Sequence, residues 1–141
     1  MKLKTKSLID GSILYESDAP NIVDHVKLAI VHGKTLRDAD FKDADLRGVD
    51  FSHVDLSGSN FRGSDLRGIN FRESDLKGVI FREADLRGAS FREADLREVS
   101  FRDSKLGGVN FKEAHIGGTS FKGADLTGAY IKEFILEQKE K

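Results

Sequence analysis

The chain has 141 residues, the size of one domain, and its 23 Lys and Arg against 24 Asp and Glu leave a formal net charge of −1. That balance argues against a dedicated non-specific nucleic-acid binder, which is normally strongly basic. There is no Cys, which excludes disulfide scaffolds, thiolate metal sites and cysteine nucleophiles, and no apolar run approaches the roughly 20 residues of a membrane span.

The first nine residues are basic but lack the apolar stretch of a signal peptide, so a cytoplasmic location is expected. Residues 1–33 read as a hairpin followed by a capping helix. Leu8 to Tyr15 form the hairpin, with Asp10-Gly11 as its tight turn. Ser17 or Asp18 can N-cap a helix with Pro20 in its first turn and Gly33 just past its end. On that helix Ile22, Val26, Ala29 and Ile30 share one face, which covers the start of the remaining chain.

The remaining chain is built on a repeat. From Leu36, every fifth residue to Leu126 is Leu, Phe or Ile, nineteen in succession. Leu46, Phe61, Leu66, Phe71, Leu86 and Phe91 typify these centres. The residue two before each centre is small or β-branched, Lys34 excepted. The residue just before is often Asp or Asn, and the one just after is usually basic. Five residues rotate an α-helix position by about 140°, so no stripe forms. In a continuous strand an odd step flips alternate centres to opposite faces. The chain must therefore turn once per repeat, with the centre and the residue two before it pointing inward on short extended sides.

The number of sides is less plain. Gly48, Gly68, Gly88, Gly108 and Gly128 recur at twenty, as do Glu73, Glu93, Glu113 and Glu133, which favours four sides per coil. A period of ten is also strong, so two sides stay open from the residues alone. Gly two after the centre suits a corner with positive φ.

The pattern Ala-Asp-Leu-Arg-Gly, Ala-Ser-Phe-Arg-Glu over residues 84–93 resembles the pentapeptide-repeat proteins, whose motif is a small residue, Asp or Asn, Leu or Phe, and two variable residues. The resemblance covers residues 34–133. It implies an all-β fold, a right-handed quadrilateral β-helix of about five coils, roughly 24 Å long at the spacing of paired strands. Ile80, Lys105, His115 and Tyr130 depart from the Asp/Asn position. The N-terminal hairpin and helix are similar to those of some short, phage-encoded members. At the other end Ile131, Phe134 and Ile135 precede a charged tail, and 134–141 reads as a short cap. In several relatives this segment dimerises, which makes a homodimer contact the implied alternative.

No catalytic constellation is present. His25, His32, His53 and His115 are dispersed without metal-ligand spacing, so no metal and no cofactor are expected. Gly33-Lys34-Thr35 mimics the end of a phosphate loop, but Leu28 stands where that motif needs Gly. Ser59, Ser64, Ser74 and Ser104 have no His or Asp at fixed offset and read as core fillers.

A step of twenty stacks charges in columns. One holds Lys42, Arg62, Arg82, Arg102 and Lys122, and another pairs Asp45, Asp65, Asp85 and Asp125 with Arg47, Arg67 and Arg87. The expected function is a non-enzymatic protein–protein scaffold whose interaction face includes Arg62, Arg82, Arg102, Asp65, Asp85, Arg67 and Arg87, with an unidentified protein partner and no membrane. The resemblance implies an alternative, since some relatives mimic B-DNA and inhibit DNA gyrase, a topoisomerase. Residues 36–133 hold 16 basic and 18 acidic side chains, far from the acidity such a mimic needs. Direct nucleic-acid binding through the Lys42–Lys122 column is a weaker expectation.

Overall fold

A computed structural model describes residues 2–131 of the chain. The repeat is explained by where its amides go, and the unit Phe61–Asp65 shows the rule. Phe61 N–H donates to the Ile80 carbonyl at 2.7 Å and Gly63 N–H to Arg82 at 3.0 Å, both on the next coil. Asp65 N–H donates back to Ala44 at 2.9 Å on the previous coil, and Ser64 N–H closes a turn onto Phe61 at 3.0 Å. The fifth donor, Arg62 N–H, is taken by the Asn60 side chain at 2.9 Å. All five amides are satisfied without water, as a stacked backbone requires. The Asp or Asn before each centre therefore serves the main chain: its carboxylate or amide oxygen accepts the amide two residues on, an Asx turn.

Parallel bridges join residues twenty apart along the whole array, from Asp40 with Asn60 to Asn110 with Tyr130. One coil is thus four repeats, and the two-sided alternative is removed. The residue two after the centre has positive φ in every repeat from Asp38 to Gly128. With the i to i+3 bond this is the geometry of a type II turn. Gly fits there, but Asp, Glu or His fills nine of these corners, among them Glu83 at φ 61°. This conformation costs an L-residue about 1–2 kcal/mol. The Glu83 amide is held there by its bond to the Arg102 carbonyl at 3.0 Å.

Four faces result, each identified by its first centre. Leu36 and Leu46 begin the two Leu faces, and Phe41 and Phe51 begin the two Phe faces. The Phe rings form two ladders across the interior. Phe61 and Phe81 stack at 5.3 Å and Phe71 and Phe91 at 5.1 Å, while Phe71 meets Phe81 edge-on at 5.4 Å. Offset and edge contacts of this kind add about 0.5–1.5 kcal/mol per pair beyond area burial. Leu46, Leu66 and Leu86 are fully buried between them. Ser64, Ser74 and Ser104 are buried as expected of fillers, and each hydroxyl also donates to the carbonyl of the centre three before it. Ser59 instead reaches across coils, donating to Leu36 at 2.7 Å.

The N-terminal cap differs from its sequence reading in two places. Strand β1 is Leu3–Lys6 and β2 is Ile13–Ser17, antiparallel, so the hairpin begins earlier and Ser7–Ser12 is a longer loop. Asp10-Gly11 lies within that loop, where the Asp10 carboxylate accepts from Ser12 N–H at 2.9 Å and Gly11 has φ 74°. Helix α1 is Ile22–Val31, and its N-cap is Asn21, not Ser17 or Asp18. The Asn21 side chain accepts from Asp24 N–H at 2.8 Å. Pro20 fixes the chain ahead of the cap. Gly33 closes the helix as expected: its amide reaches Ile30 and the Lys34 amide reaches Ala29, a Schellman motif, which also disposes of the phosphate-loop resemblance.

Val26 and Ala29 are fully buried, with Ile22 and Ile30 packed beside the core, so the helix seals the first coil. Leu36 and Phe41 are buried although they begin the stack. In the last described coil Ile116, Phe121 and Leu126 are half-buried and Ile131 is 50% exposed. Phe134 and Ile135 lie outside the described residues. No helix among the described residues is long and apolar enough to cross a membrane.

Candidate interaction surface

The outward side chains form a lattice set by the backbone. One sits mid-face before each centre, and two sit at the corner after it. The second Leu face carries a continuous charge ladder. Arg47 grips Asp45 with two bonds of 2.9 and 2.8 Å and reaches Asp65 at 3.3 Å. Arg67 grips Asp65 at 2.9 and 2.8 Å, and Arg87 grips Asp85 at 2.8 and 2.6 Å. These forks have the planar two-point geometry that suits guanidinium to carboxylate. The Arg47 guanidinium holds the Asp45 carboxyl down at about 2, and the same contact raises Arg47. Arg67 and Arg87 likewise lower Asp65 and Asp85. Asp65 and Asp85 stack one coil apart, and each is an ionised partner of its own arginine, with no cleft around it.

The first Leu face has one such fork, Arg97 on Asp95 at 2.9 and 2.6 Å, which lowers Asp95. Beside it an open groove of about 460 Å³ is lined by Glu73, Asp75, Glu93, Asp95 and His115 among others. At its edge Glu73 and Glu93 are met by Arg72 at 3.4 and 3.8 Å, and His53 lies 3.6 Å from Glu73. No group of three or more His, Asp or Glu among the described residues is placed to hold a metal ion.

The column predicted from Lys42 to Lys122 is assembled at the corner between the first Phe face and the second Leu face. The amides of Asp43, Gly63, Glu83 and Asp103 each bond the carbonyl of the basic residue one coil on, at 2.8 to 3.0 Å. Arg62 meets Glu83 at 3.0 Å and Arg102 meets Asp103 at 3.7 Å. Arg82 Nε is buried with no hydrogen-bond partner. The candidate residues thus divide between two elements: Asp65, Asp85, Arg67 and Arg87 are a self-neutralised ladder, and Arg62, Arg82 and Arg102 are a basic corner beside a neutral face.

The cap holds a group that sequence reasoning left dispersed. His25 is fully buried, its Nε2 2.8 Å from the Thr5 hydroxyl and its Nδ1 2.6 Å from that of Ser17. Tyr15 packs on the ring at 5.2 Å, and its hydroxyl meets His32 Nδ1 at 3.0 Å. Burial pushes the His25 imidazole below its usual value. One side chain on α1 therefore ties both hairpin strands to the helix.

Comparison with known proteins agrees with this geometry. No curated protein matches the chain. Among solved structures, a pentapeptide repeat protein from Nostoc Pcc 7120 aligns over 85% of this chain and 88% of its own, at 25% identity and a TM-score of 0.54. One from the cyanobacterium Cyanothece 51142 aligns over 63% and 65%, at 25% identity and a TM-score of 0.48. QnrB1, a plasmid-mediated fluoroquinolone resistance protein, aligns over 59% and 58%, at 24% identity and a TM-score of 0.42. The chain therefore spans less than two thirds of the length of the latter two. The model of the pentapeptide repeat region matches residues 34–111, and that of pentapeptide repeats matches residues 104–133. With the five-residue register, the twenty-residue bridging and these matches in agreement, the chain belongs to the pentapeptide repeat family.

Proposed function

We propose that this protein is a non-enzymatic scaffold for protein–protein interaction, a right-handed quadrilateral β-helix of about five coils that presents fixed charge patterns on flat faces. One observation carries the reading. Main-chain carbonyls take four of the five amides in a repeat such as Phe61–Asp65 and the Asx oxygen takes the fifth, so the outward side chains stand on a lattice set by the backbone. A surface ordered before binding loses little freedom when a flat partner docks. Isolated surface ion pairs contribute only about 0–1 kcal/mol, so the charge columns add more to orientation and selectivity than to fold stability. The segment containing Ile131, Phe134 and Ile135 is proposed as the C-terminal cap or homodimer contact.

The test is affinity capture from a bacterial lysate on the immobilised chain, with Arg62→Glu and Arg67→Glu variants alongside. A single protein retained saturably, and lost with one variant, supports the scaffold. Turnover of a small substrate that one such substitution abolishes would refute it.

DNA mimicry toward gyrase is the second reading, drawn from the family resemblance. The ladder weighs against it, because Asp45, Asp65, Asp85 and Asp95 each carry their own arginine instead of presenting bare negative charge. Inhibition of gyrase supercoiling by micromolar protein would restore this reading, and its absence removes it.

A further inference from the structure

The corner between the first Phe face and the second Leu face differs from the other three. It carries a cation in each coil, Lys42, Arg62, Arg82, Arg102 and Lys122, where the other corners are interrupted by Ser57, Gly107 or Ser52. On the Leu faces Arg47, Arg67, Arg87 and Arg97 are each gripped by the Asp two residues before. At this corner Arg62, Arg82 and Arg102 follow Asn60, Ile80 and Ser100, which carry no charge, and only Lys42 follows an acid, Asp40; the corner of the second Phe face is similar, with Asn70, Ser90 and Asn110 before Arg72, Arg92 and Lys112. Arg62 and Arg102 make single contacts with neighbouring acids, and Arg82 Nε is buried without a hydrogen bond, as is Arg92 Nε at the corner of the second Phe face.

Ile80 is the second irregularity. It occupies the outward mid-face slot that Asp40, Asn60, Ser100 and Ser120 hold in the other coils, and it is 39% exposed. Its side chain offers no acceptor to the Arg82 amide, whereas Asn60 accepts from Arg62 at 2.9 Å. At one position, then, the chain gives up a main-chain cap and shows an aliphatic group to solvent, two residues before the Arg82 guanidinium. Apolar and arginine side chains in contact are the composition of protein-interface centres.

We infer that this edge docks an acidic segment of a partner protein, a stretch of Asp and Glu with an aliphatic side chain seated on Ile80. The inference rests on the scaffold reading and names the face and the partner's chemistry. Charge complementarity selects the occupant. Asp43, Glu83 and Asp103 alternate with the cations along the corner, which suits spaced carboxylates and opposes an unbroken phosphate backbone. The apolar centre at Ile80 selects in the same direction.

The test pans a random phage-displayed peptide library on the immobilised full chain. The best peptides are then titrated by fluorescence anisotropy against Arg82→Ala, Ile80→Asn and Arg87→Ala. Ile80→Asn returns the acceptor found at residue 60, so its fold, checked by circular dichroism, is retained. The expected peptides are rich in Asp and Glu around an aliphatic residue. Their affinity falls about tenfold in Arg82→Ala and in Ile80→Asn, weakens with added salt, and is unchanged in Arg87→Ala. No enrichment, enrichment of basic peptides, or equal affinity for all variants overturns the inference. Tighter, Arg82-dependent binding of a duplex DNA oligonucleotide overturns it in favour of phosphate. Peptides lost only in Arg87→Ala overturn it while leaving the scaffold reading standing on the second Leu face.

Discussion

Asp40 donates its backbone N–H to the Lys6 carbonyl at 3.0 Å, the place a preceding coil fills elsewhere, where Asn60 donates to Ala39 and Ile80 to Ser59. Leu8 N–H returns the contact to Asp38 at 2.7 Å, and Ser7 bridges Ala39 antiparallel. The hairpin thus acts as a partial coil, pairing an edge that would otherwise template aggregation. Helix α1 covers the interior behind it. Val26→Asp places a charge at a fully buried site. It should lower the thermal midpoint and raise the fluorescence of an apolar dye, while far-ultraviolet circular dichroism keeps most of the coil signal.

The Phe ladders set a gradient along the rod. Phe81 is fully buried and meets Phe61, Phe101, Phe71 and Phe91 at 5.2 to 5.6 Å. Phe81→Ala should cost about 3–5 kcal/mol in urea unfolding. Phe121→Ala, at a half-buried site in the last described coil, should cost clearly less. Equal losses at both sites would mean the array does not distinguish its middle from this end.

The Asx acceptors should be measurable one at a time. Asn60→Ala removes the 2.9 Å acceptor of the Arg62 amide and leaves that donor to water at an exposed corner. A loss of about 0.5–1.5 kcal/mol is expected by denaturant titration. Asn60→Asp, which keeps the oxygen, should hold stability near the parent.

Gly88 sits at φ 75° with only the Gly68 α-carbon at 4.0 Å from an added β-carbon. There is room for a methyl group, so Gly88→Ala isolates the backbone conformation. It should destabilise by about 1 kcal/mol, read as a lower urea midpoint at unchanged slope.

His25 gives stability a pH dependence. Its folded value lies below the ordinary 6.5, so the unfolded chain binds more protons than the folded one in this window. Stability should therefore be complete above about pH 6.5 and fall as pH drops through the lowered folded value. Both ring nitrogens already face hydroxyls that can accept, so the cost of protonation is desolvation and not a broken bond. A thermal midpoint measured from pH 7.5 to 5 should show this slope in the parent and lose it in His25→Gln. The Asp45, Asp65 and Asp85 contributions lie lower, lost only as pH falls below the normal carboxylate range.

Much of this molecule is legible in its residue pattern. The unbroken step of Leu and Phe from 36 to 126 has one consistent interpretation, a chain that turns every five residues and points its centres inward, and the buried Phe ladders are that interpretation realised. The helix face of Val26 and Ala29 is readable for the same reason, because apolar periodicity reports burial directly. The first strand is not readable. Leu3–Lys6 buries only Thr5 fully, while the apolar Leu8 and Ile9 that suggest a strand are exposed in the loop. The N-cap is misplaced by sequence because Ser17, a good cap by type, is engaged by His25.

The sequence alone determined the repeat and its core, since these are properties of neighbours along the chain. Tertiary structure decided what depends on residues brought together from different coils or elements. Parallel bridges between residues twenty apart chose four sides over two. Stacking turned the Asp–Arg columns into a neutral ladder and left Arg62, Arg82 and Arg102 outside it. The meeting of Thr5, Ser17 and His25 across three elements made a buried clasp from polar residues that, read singly, carry no signal.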